Sequence, residues 1–482
     1  MLQETTSKIL SWIRSKAIQA PDQPLSLCNN SSPEEIFHAL DIKITGTGTP
    51  DHKLSRLVEL VKEKSVHTDH GLFMNQMFGK QVPVAVLGDL LTVLLNTSMY
   101  TYEVAPVLTL IEKECVERLC SLVWNSTDWH DGVFTPGSTI SNMMAMMLAR
   151  NRRFPQSMEA GLFDVPPFRI FVSDQVHYSF KKGSAFSGMG KNTLVEVDSD
   201  PDGKISVTAL LDAIACELRK GNVPLMLIGI AGTTVTGVYD NLESLAEIAA
   251  QYNMWFHVDA AYGGSLLFSQ KEKQRLKGVE HADSVAWSLH KMMGVPLSCA
   301  VLLTKKNTVL REAFSMDAEY LFHGNEMDLG QKSLQCGRRA DALKLWVAWK
   351  FEGDEGLEDR VNKLVEIARQ FAGKIREHNN FELLCVPETP IVCFRFIHPG
   401  LSADELNVLN AEIRSVIFLE GHLLFNYSTH KNKIYLRCVF SDPDMKAESL
   451  RSILEKIDCV GNQVIIAMKK INNKHPVYSA RY

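Results

Sequence analysis

Three observations predict an α/β architecture for this chain. Between about Pro83 and Gly353 short apolar runs alternate with helical stretches, as they do when helices cover a largely parallel sheet. The runs FRIFV, LMLIGIAG, MWFHV and CAVLLT are compact, rich in β-branched and aromatic residues, and apolar at nearly every position, as strands buried on both faces are. After Gly353 and Gly356 the pattern changes to a long amphipathic helix, three more strands and a closing helix, which reads as a smaller α+β unit.

The elements follow in order. Leu2, Ile9, Leu10, Ile13 and Ala17 recur at helical spacing beside Lys8, Arg14 and Lys16; a helix docked on the body is expected in preference to an amphipathic targeting segment. Residues 1–82 otherwise read as helices and loops, with a proline-led helix from Pro33 to Leu40. A second helix runs from Leu54 to about Lys64, striped by Leu54, Leu57, Val58 and Val61. Helical stretches follow at 84–95, 104–123 and 140–150. In the last of these Met143, Met144, Met146 and Met147 are read as core filler, because thioethers on one helix pack adaptably. The long helix spans Leu357 to about His378, the strands FELLCV, IVCFRFI and KIYLRCVF come next, and the last helix runs from Met445 to about Cys459. Three segments result: 1–82 helical, 83–353 large α/β, and 354–482 small α+β. A length of 482 residues suits two or three units at roughly 150 residues each.

Composition excludes several classes. With 45% hydrophobic and 22% charged residues the chain buries a full core and is not disordered. A net charge of -5 with no strongly basic block argues against nucleic acid as a partner, since phosphate neutralisation requires clustered Lys and Arg. Ten scattered cysteines form no CxxC pair and no zinc-like spacing, so reduced core thiols and no metal are expected. No apolar run nears the roughly 20 residues that cross a bilayer, and no secretory signal opens the chain. A cytoplasmic protein without membrane contact is the expectation.

Two residues suggest the chemistry together, although singly a strand-end aspartate also serves as a helix or turn cap and a lysine as a surface residue. Lys291 ends the run ADSVAWSLHK, and Asp259 follows the strand-like MWFHV within HVDAAYGG. Both fall at or just past a strand's carboxyl end, where open α/β sheets bind ligands. A lysine amine that binds an aldehyde covalently, with a carboxylate to keep a pyridine nitrogen protonated, is the requirement of pyridoxal phosphate.

Around this pair, nine motifs stand in an order that resembles the group II pyridoxal phosphate-dependent amino-acid decarboxylases. They are TDHGLFMNQ (68–76), NTSMYTYEVAP (96–106), FTPGSTISN (134–142), SDQVHYSFKK (173–182), GTTVTG (232–237), HVDAAYGG (257–264), SLHKMMG (288–294), QCGRR (335–339) and YLRCVFS (435–441). The resemblance is nearest to the glutamate, cysteine sulfinate and aspartate decarboxylases. It implies the fold type I (aspartate aminotransferase-like) of pyridoxal phosphate-dependent transferases. That fold has a mainly parallel seven-stranded central sheet, a helical N-terminal segment packing on a homodimer, and a small α+β C-terminal domain.

The resemblance also implies residue roles. His177 stacks over the cofactor ring, Ala261 packs beneath it, and Asp259 faces its nitrogen. Ile140, Ser141 and Ser284 bind the phosphate, because helix N-terminal amides and hydroxyls favour a dianion. Thr233 lies at the phenolic side and His290 beside Lys291. Tyr320 is the mobile-loop acid that protonates the substrate α-carbon. Arg437 pairs with the α-carboxylate. Gln76 bonds the distal acid group, and Ser98 with Tyr100 resembles the cysteine sulfinate type, where glutamate decarboxylases carry Asn and Phe. The expected reaction is α-decarboxylation of cysteine sulfinate or aspartate to hypotaurine or β-alanine. Glutamate to γ-aminobutyrate is the near alternative, and an aminotransferase or a catalytically silent homologue are the rivals. The chain departs from the pattern at Ser288 and Leu289 before His290, at Ser138 in place of glycine, and in a shortened stretch between Tyr320 and Gln335.

Overall fold

The computed structural model describes residues 2–17, 27–28, 30–126 and 129–474. The chain divides into two compact units. One comprises Met1–Pro83, Ile367–Val386 and Ile391–Tyr482, the other Val84–Glu366 with Pro387–Pro390.

The first unit opens with helices α1 (Gln3–Ala17), α2 (Pro33–Leu40) and α3 (Asp51–Lys64) and the short strand β1 (Phe73–Met74). Helix α1 docks on α3, as its apolar spacing predicts. The Asp51 carboxylate accepts the Glu4 N–H at 3.0 Å and the Thr5 hydroxyl at 2.5 Å, and Lys8 pairs with Glu59 at 2.7 Å. Helix α2 begins where the sequence signals it. The Ser32 hydroxyl accepts the Glu35 N–H, the Glu35 carboxylate accepts the Ser32 N–H, and Pro33 fills a first-turn position where no N–H is needed.

The second unit runs through α4 (Pro83–Leu95), α5 (Pro106–Trp124), β2 (Asp131–Thr135), α6 (Ser138–Arg153), α7 (Ser157–Ala160), β3 (Phe168–Ser173), α8 (Ser179–Phe186), β4 (Leu194–Val197) and α9 (Val207–Arg219). It continues with β5 (Val223–Ile230), α10 (Leu242–Gln251), β6 (Trp255–Asp259), β7 (Ser284–Ser288), β8 (Ala300–Thr304), α11 (Val309–Phe314) and the first part of α12 (Asp341–Glu377). Its seven strands stand in the order β2-β8-β7-β6-β5-β3-β4. Pairs from β7 to β4 are parallel, and only the β8 pairings are antiparallel. Strands β6, β7 and β8 are buried at every position, which is why their sequences are apolar without alternation. The methionines behave as filler: Met144 and Met146 of α6 lie in one core cluster with Ile170, Val172 and Phe180.

The chain then returns to the first unit with β9 (Phe381–Leu383), β10 (Ile391–Phe396), α13 (Ala403–Glu420), β11 (Leu424–His430), β12 (Lys433–Val439) and α14 (Ala447–Lys474). Its five strands are ordered β1-β11-β12-β10-β9. Val392, Phe394 and Phe396 on β10 and Leu436 and Cys438 on β12 alternate into a core shared with α13 and α14. Cys393 and Arg437 pair across the opposite face.

Residues 1–82 fall in one compact unit with most of the C-terminal segment, and within it Phe73 and Met74 add a strand to β11 in register with Leu424 and Phe425. A two-residue strand carries no periodicity to read. The long helix expected after Gly353 is present and ends at Glu377; Gly353, whose φ of 67° lies in the left-handed region, separates it from a preceding helix that starts at Asp341. Glycine adopts that conformation without a Cβ penalty, so it marks the boundary between the two helices. The last residues of the expected C-terminal domain, 475–482, lie outside the described ones.

Candidate active site

The parallel strands of the second unit end together, and the chemistry gathers there. Asp259 is the last residue of β6, in register with Ile230 at the end of β5 and Ala286 on β7. Its carboxylate is sealed, at 7% exposure, and held at both oxygens. Oδ1 accepts the Ala261 N–H at 3.1 Å, and Oδ2 accepts the Asn142 amide at 3.0 Å. Lys291 is half-buried three residues past the end of β7, its N–H donating to the Ser288 carbonyl at 3.3 Å. His177, also half-buried, lies in the loop between β3 and α8 and accepts the Ser179 N–H at Nδ1, 3.3 Å. Burial lowers the proton affinity of His177; the Asp259 charge works against that, while the Lys291 and Lys182 charges reinforce it. Asp259 and Lys291 thus both act electrostatically on His177, whose burial favours the neutral imidazole.

Behind Asp259 lies a polar chain that sequence reasoning missed. Trp255 Nε1 donates to the Ser284 hydroxyl at 2.8 Å, which is 2.8 Å from His257 Nδ1. His257 Nε2 is 3.1 Å from the Asn142 carbonyl oxygen, and the Asn142 amide reaches both Asp259 and, at 3.2 Å, the Ser179 hydroxyl. His257 is fully buried, and burial pushes its pKa down to about 4. The signal was available: His257 and Asp259 are two apart on one strand and so share a face.

The phosphate assignments are corrected here. Ser284 stands at the start of β7, the end away from Lys291, fully buried with its hydroxyl taken by Trp255 and His257. Helix α6 starts at Ser138, two residues before Ile140, and the Ile140 and Ser141 N–H groups both turn back to the Gly137 carbonyl. The buried Ser141 hydroxyl is bonded to Thr135 at 2.7 Å. The first-turn amides that helix geometry leaves for an anion are those of Ser138 and Thr139. Beside them the Ser138 and Ser288 hydroxyls are 2.5 Å apart, so the two serines that looked like departures meet at the helix N-terminus. Gly137 caps the helix at φ 147°, a conformation side chains other than glycine's rarely adopt.

The remaining candidates distribute as follows. Ala261 is buried beside Asp259. The Thr233 hydroxyl is committed to its own loop, sharing a hydrogen with Thr236 at 2.7 Å and accepting the Gly237 N–H at 3.1 Å. His290 is buried with Nδ1 3.0 Å from the Cys299 N–H, and burial lowers its pKa to about 4. Ser98 donates to the Cys336 carbonyl at 3.4 Å and accepts the Arg338 N–H at 3.3 Å. Tyr100 stacks obliquely on Phe322, centroids 5.1 Å apart. Burial raises its pKa, with smaller contributions of the same sign from Cys336 and Tyr320. Tyr320 itself is 81% exposed. Gln76 and Arg437 belong to the first unit: Gln76 is exposed two residues past β1, and Arg437 is buried on β12 between Cys393 and Asn426.

Pyridoxal phosphate fits this donor set. A buried carboxylate is normally paired, yet both hydrogen-bond donors to Asp259 are neutral, which leaves its charge to balance a protonated ring nitrogen. An amine, a neutral imidazole and a helix N-terminus complete the requirement.

Comparison with known proteins agrees. Residues 38–397 match the pyridoxal-dependent decarboxylase conserved domain. The chain is 36% identical to human cysteine sulfinic acid decarboxylase over 454 residues, covering 91% of this chain and 92% of that protein. It is 35% identical to human acidic amino acid decarboxylase GADL1 over 463 residues, covering 93% and 88%. The crystal structure of mouse CSAD in apo form superposes with a TM-score of 0.90 at 34% identity, over 95% of this chain and 98% of that one. The structure of Oryza sativa TDC with PLP and tryptamine shares the fold at 23% identity and a TM-score of 0.86, over 96% and 97%. This chain belongs to the pyridoxal-dependent decarboxylase family, a carboxy-lyase whose cofactor is pyridoxal phosphate.

Proposed function

We propose that this decarboxylase acts on cysteine sulfinate or aspartate in preference to glutamate, producing hypotaurine or β-alanine. The observation that carries the chemistry is the sealed Asp259, held by two neutral donors and acting electrostatically, as Lys291 does, on His177. The acidic substrate class is supported by the relatives, named for cysteine sulfinic acid and for acidic amino acids. Ser98 and Tyr100 favour the shorter substrates within that class.

When bound, pyridoxal phosphate supplies the electron sink for the bond broken at the α-carbon. Lys291 anchors it covalently. Asp259 would hold a proton on the ring nitrogen, and His177 and Ala261 would pack against the ring. Ser138, Thr139 and Ser288 take over the phosphate from Ile140, Ser141 and Ser284. Arg437 receives the α-carboxylate, a charge-assisted bond worth roughly 1.5–3 kcal/mol that orients the scissile bond. Gln76, Ser98 and Tyr100 meet the distal acid group. Tyr320 delivers the proton to the α-carbon from a loop that excludes water on closing.

The protein works as a homodimer in this reading. Leu87, Leu91 and Leu94 on α4 and Val107 and Leu110 on α5 are exposed apolar side chains that a second copy would cover. Cytoplasmic residence is part of the same reading, supported by ten free thiols, which suit a reducing compartment. Among the described residues no helix is long and apolar enough to cross a membrane.

The test offers purified protein with pyridoxal phosphate each of cysteine sulfinate, aspartate and glutamate, and quantifies carbon dioxide and amine. Faster turnover of the two shorter acids is expected. Product from glutamate alone overturns the preference, and indifference to all three overturns the substrate class.

A further inference from the structure

We infer that His257 is a positioning residue that fixes Asp259 through Asn142, and that one direction of hydrogen bonding runs the whole length from Trp255 to the cofactor. This rests on the reading of Asp259 as the partner of the pyridoxal phosphate ring nitrogen.

The argument starts from what each group is able to do. An ionised carboxylate only accepts hydrogen bonds, so Asn142 turns its NH2 toward Asp259 Oδ2, 3.0 Å away, and its carbonyl oxygen the other way. That oxygen is 3.1 Å from His257 Nε2, and two acceptors do not bond, so Nε2 carries a hydrogen. Full burial keeps His257 neutral, so Nδ1 carries none and accepts from the Ser284 hydroxyl at 2.8 Å. The Ser284 oxygen is then free to accept from Trp255 Nε1, at 2.8 Å, an indole that can only donate. Every donor meets one acceptor. The second Asn142 hydrogen reaches the buried Ser179 hydroxyl at 3.2 Å, so the amide is pinned at both hydrogens and at its oxygen.

Reversal at Asn142 is felt at Asp259. An Asn142 flipped end for end would aim its oxygen at the Asp259 carboxylate, and the buried charge would rise in energy or take up a proton. A protonated Asp259 no longer holds the ring nitrogen cationic. His257 prevents the flip, because in its Nε2–H form it can only donate toward Asn142. It touches neither substrate nor cofactor and acts solely through the amide.

Two measurements test this. In the cofactor-free protein with 15N-labelled histidine, the His257 resonances, assigned by their loss in His257→Gln, are expected to show the Nε2–H tautomer near neutral pH. The Nδ1–H tautomer, or an imidazolium, overturns the inference. The second measurement follows the ring nitrogen of 15N-labelled pyridoxal phosphate bound to the parent, His257→Phe and His257→Gln proteins. In His257→Phe the signal is expected to move toward the unprotonated position, with cofactor affinity falling on the order of tenfold, as for other outer-shell partners. His257→Gln keeps an N–H donor for Asn142 and is expected to restore the parent signal. An unmoved ring signal in His257→Phe overturns the inference, since a merely structural histidine would change stability alone. If the parent protein does not bind pyridoxal phosphate, the reading of Asp259 fails, and the tautomer in the cofactor-free protein still decides the hydrogen-bond direction.

Discussion

Within the second unit, the surroundings of Asp259 and of Tyr320 are opposites. Asp259 is enclosed by β6, β7 and α6, and every polar atom behind it has a partner of the right kind. Tyr320 lies in an irregular stretch between α11 and α12 with 81% of its surface exposed, and Phe322 rests its ring on Tyr100. In the proposed function the difference separates two tasks. Holding a charge against a cofactor ring favours dipoles that are already aligned and cannot relax. Delivering a proton after substrate has entered requires a group that is able to arrive late, and a loop with few buried contacts can move.

The largest effects belong to the sealed side. Lys291→Ala is expected to abolish turnover and the absorbance band of covalently held cofactor. Asp259→Asn, which keeps the shape and removes the charge, is expected to lower kcat/KM by about a thousandfold or more. Substantial activity in Asp259→Asn would mean that the enclosure has no electrostatic purpose. On the open side, Tyr320→Phe is expected to slow amine formation by about 100- to 10,000-fold, the range for a general acid. Its thermal stability should match the parent's, because an exposed side chain contributes little packing. Accumulation of the cofactor's amine form with each turnover would mark protonation at the wrong carbon. A Tyr320→Phe protein that unfolds early would contradict the comparison.

The same contrast predicts a pH dependence of stability. His257 and His290 are both pushed down to about 4 by burial, whereas an unfolded histidine titrates near 6.5. Between those values the unfolded chain binds more protons, so stability falls as pH drops from about 6.5 to about 4 and levels off below, each group contributing on the order of a few kcal/mol. Asp240 opposes them, since burial raises its carboxyl to about 6 and its contribution is lost as pH rises toward that value. Burial raises Asp131, Asp283 and Asp341 as it does Asp240, and lowers His70 and His177 as it does the other two histidines. The His257 share is isolated by urea unfolding of the parent and His257→Gln: the stability difference between them should change in the parent's disfavour as pH falls from about 6.5 to about 4, and a pH-independent difference would contradict it. The smallest effect is substrate preference. Ser98→Asn with Tyr100→Phe is expected to shift the glutamate to cysteine sulfinate ratio by about 1–3 kcal/mol, the discrimination one methylene gives. Competition assays with both substrates would measure it.

Much of the site was legible because its residues sit at marked places in the pattern. Asp259 closes the apolar run MWFHV, and Lys291 follows the next strand at once, so strand ends located both. Ser284 was misplaced for the complementary reason. It opens the short strand that Ser288 closes, and ligands gather at the carboxyl end, so the role implied by the resemblance did not agree with the strand rule that located Asp259 and Lys291. Ile140 and Ser141 were two residues too far along, because the Gly137 turn and not the apolar periodicity starts α6. Strand β1 was invisible, since two residues have no period and its partner β11 lies some 350 residues later in the chain.

What the sequence determined by itself was local or periodic: buried strands from unbroken apolar runs, the helix start at Pro33, the lysine and carboxylate that a pyridine aldehyde requires, and the order of nine motifs. The tertiary structure alone decided which groups meet. Asn142, His257, Ser284 and Trp255 come from one helix and two strands, and only packing aligns their donors and acceptors behind Asp259. Hydrogen bonds depend on distances of a few tenths of an ångström between residues far apart in the chain, and no sequence spacing encodes those distances.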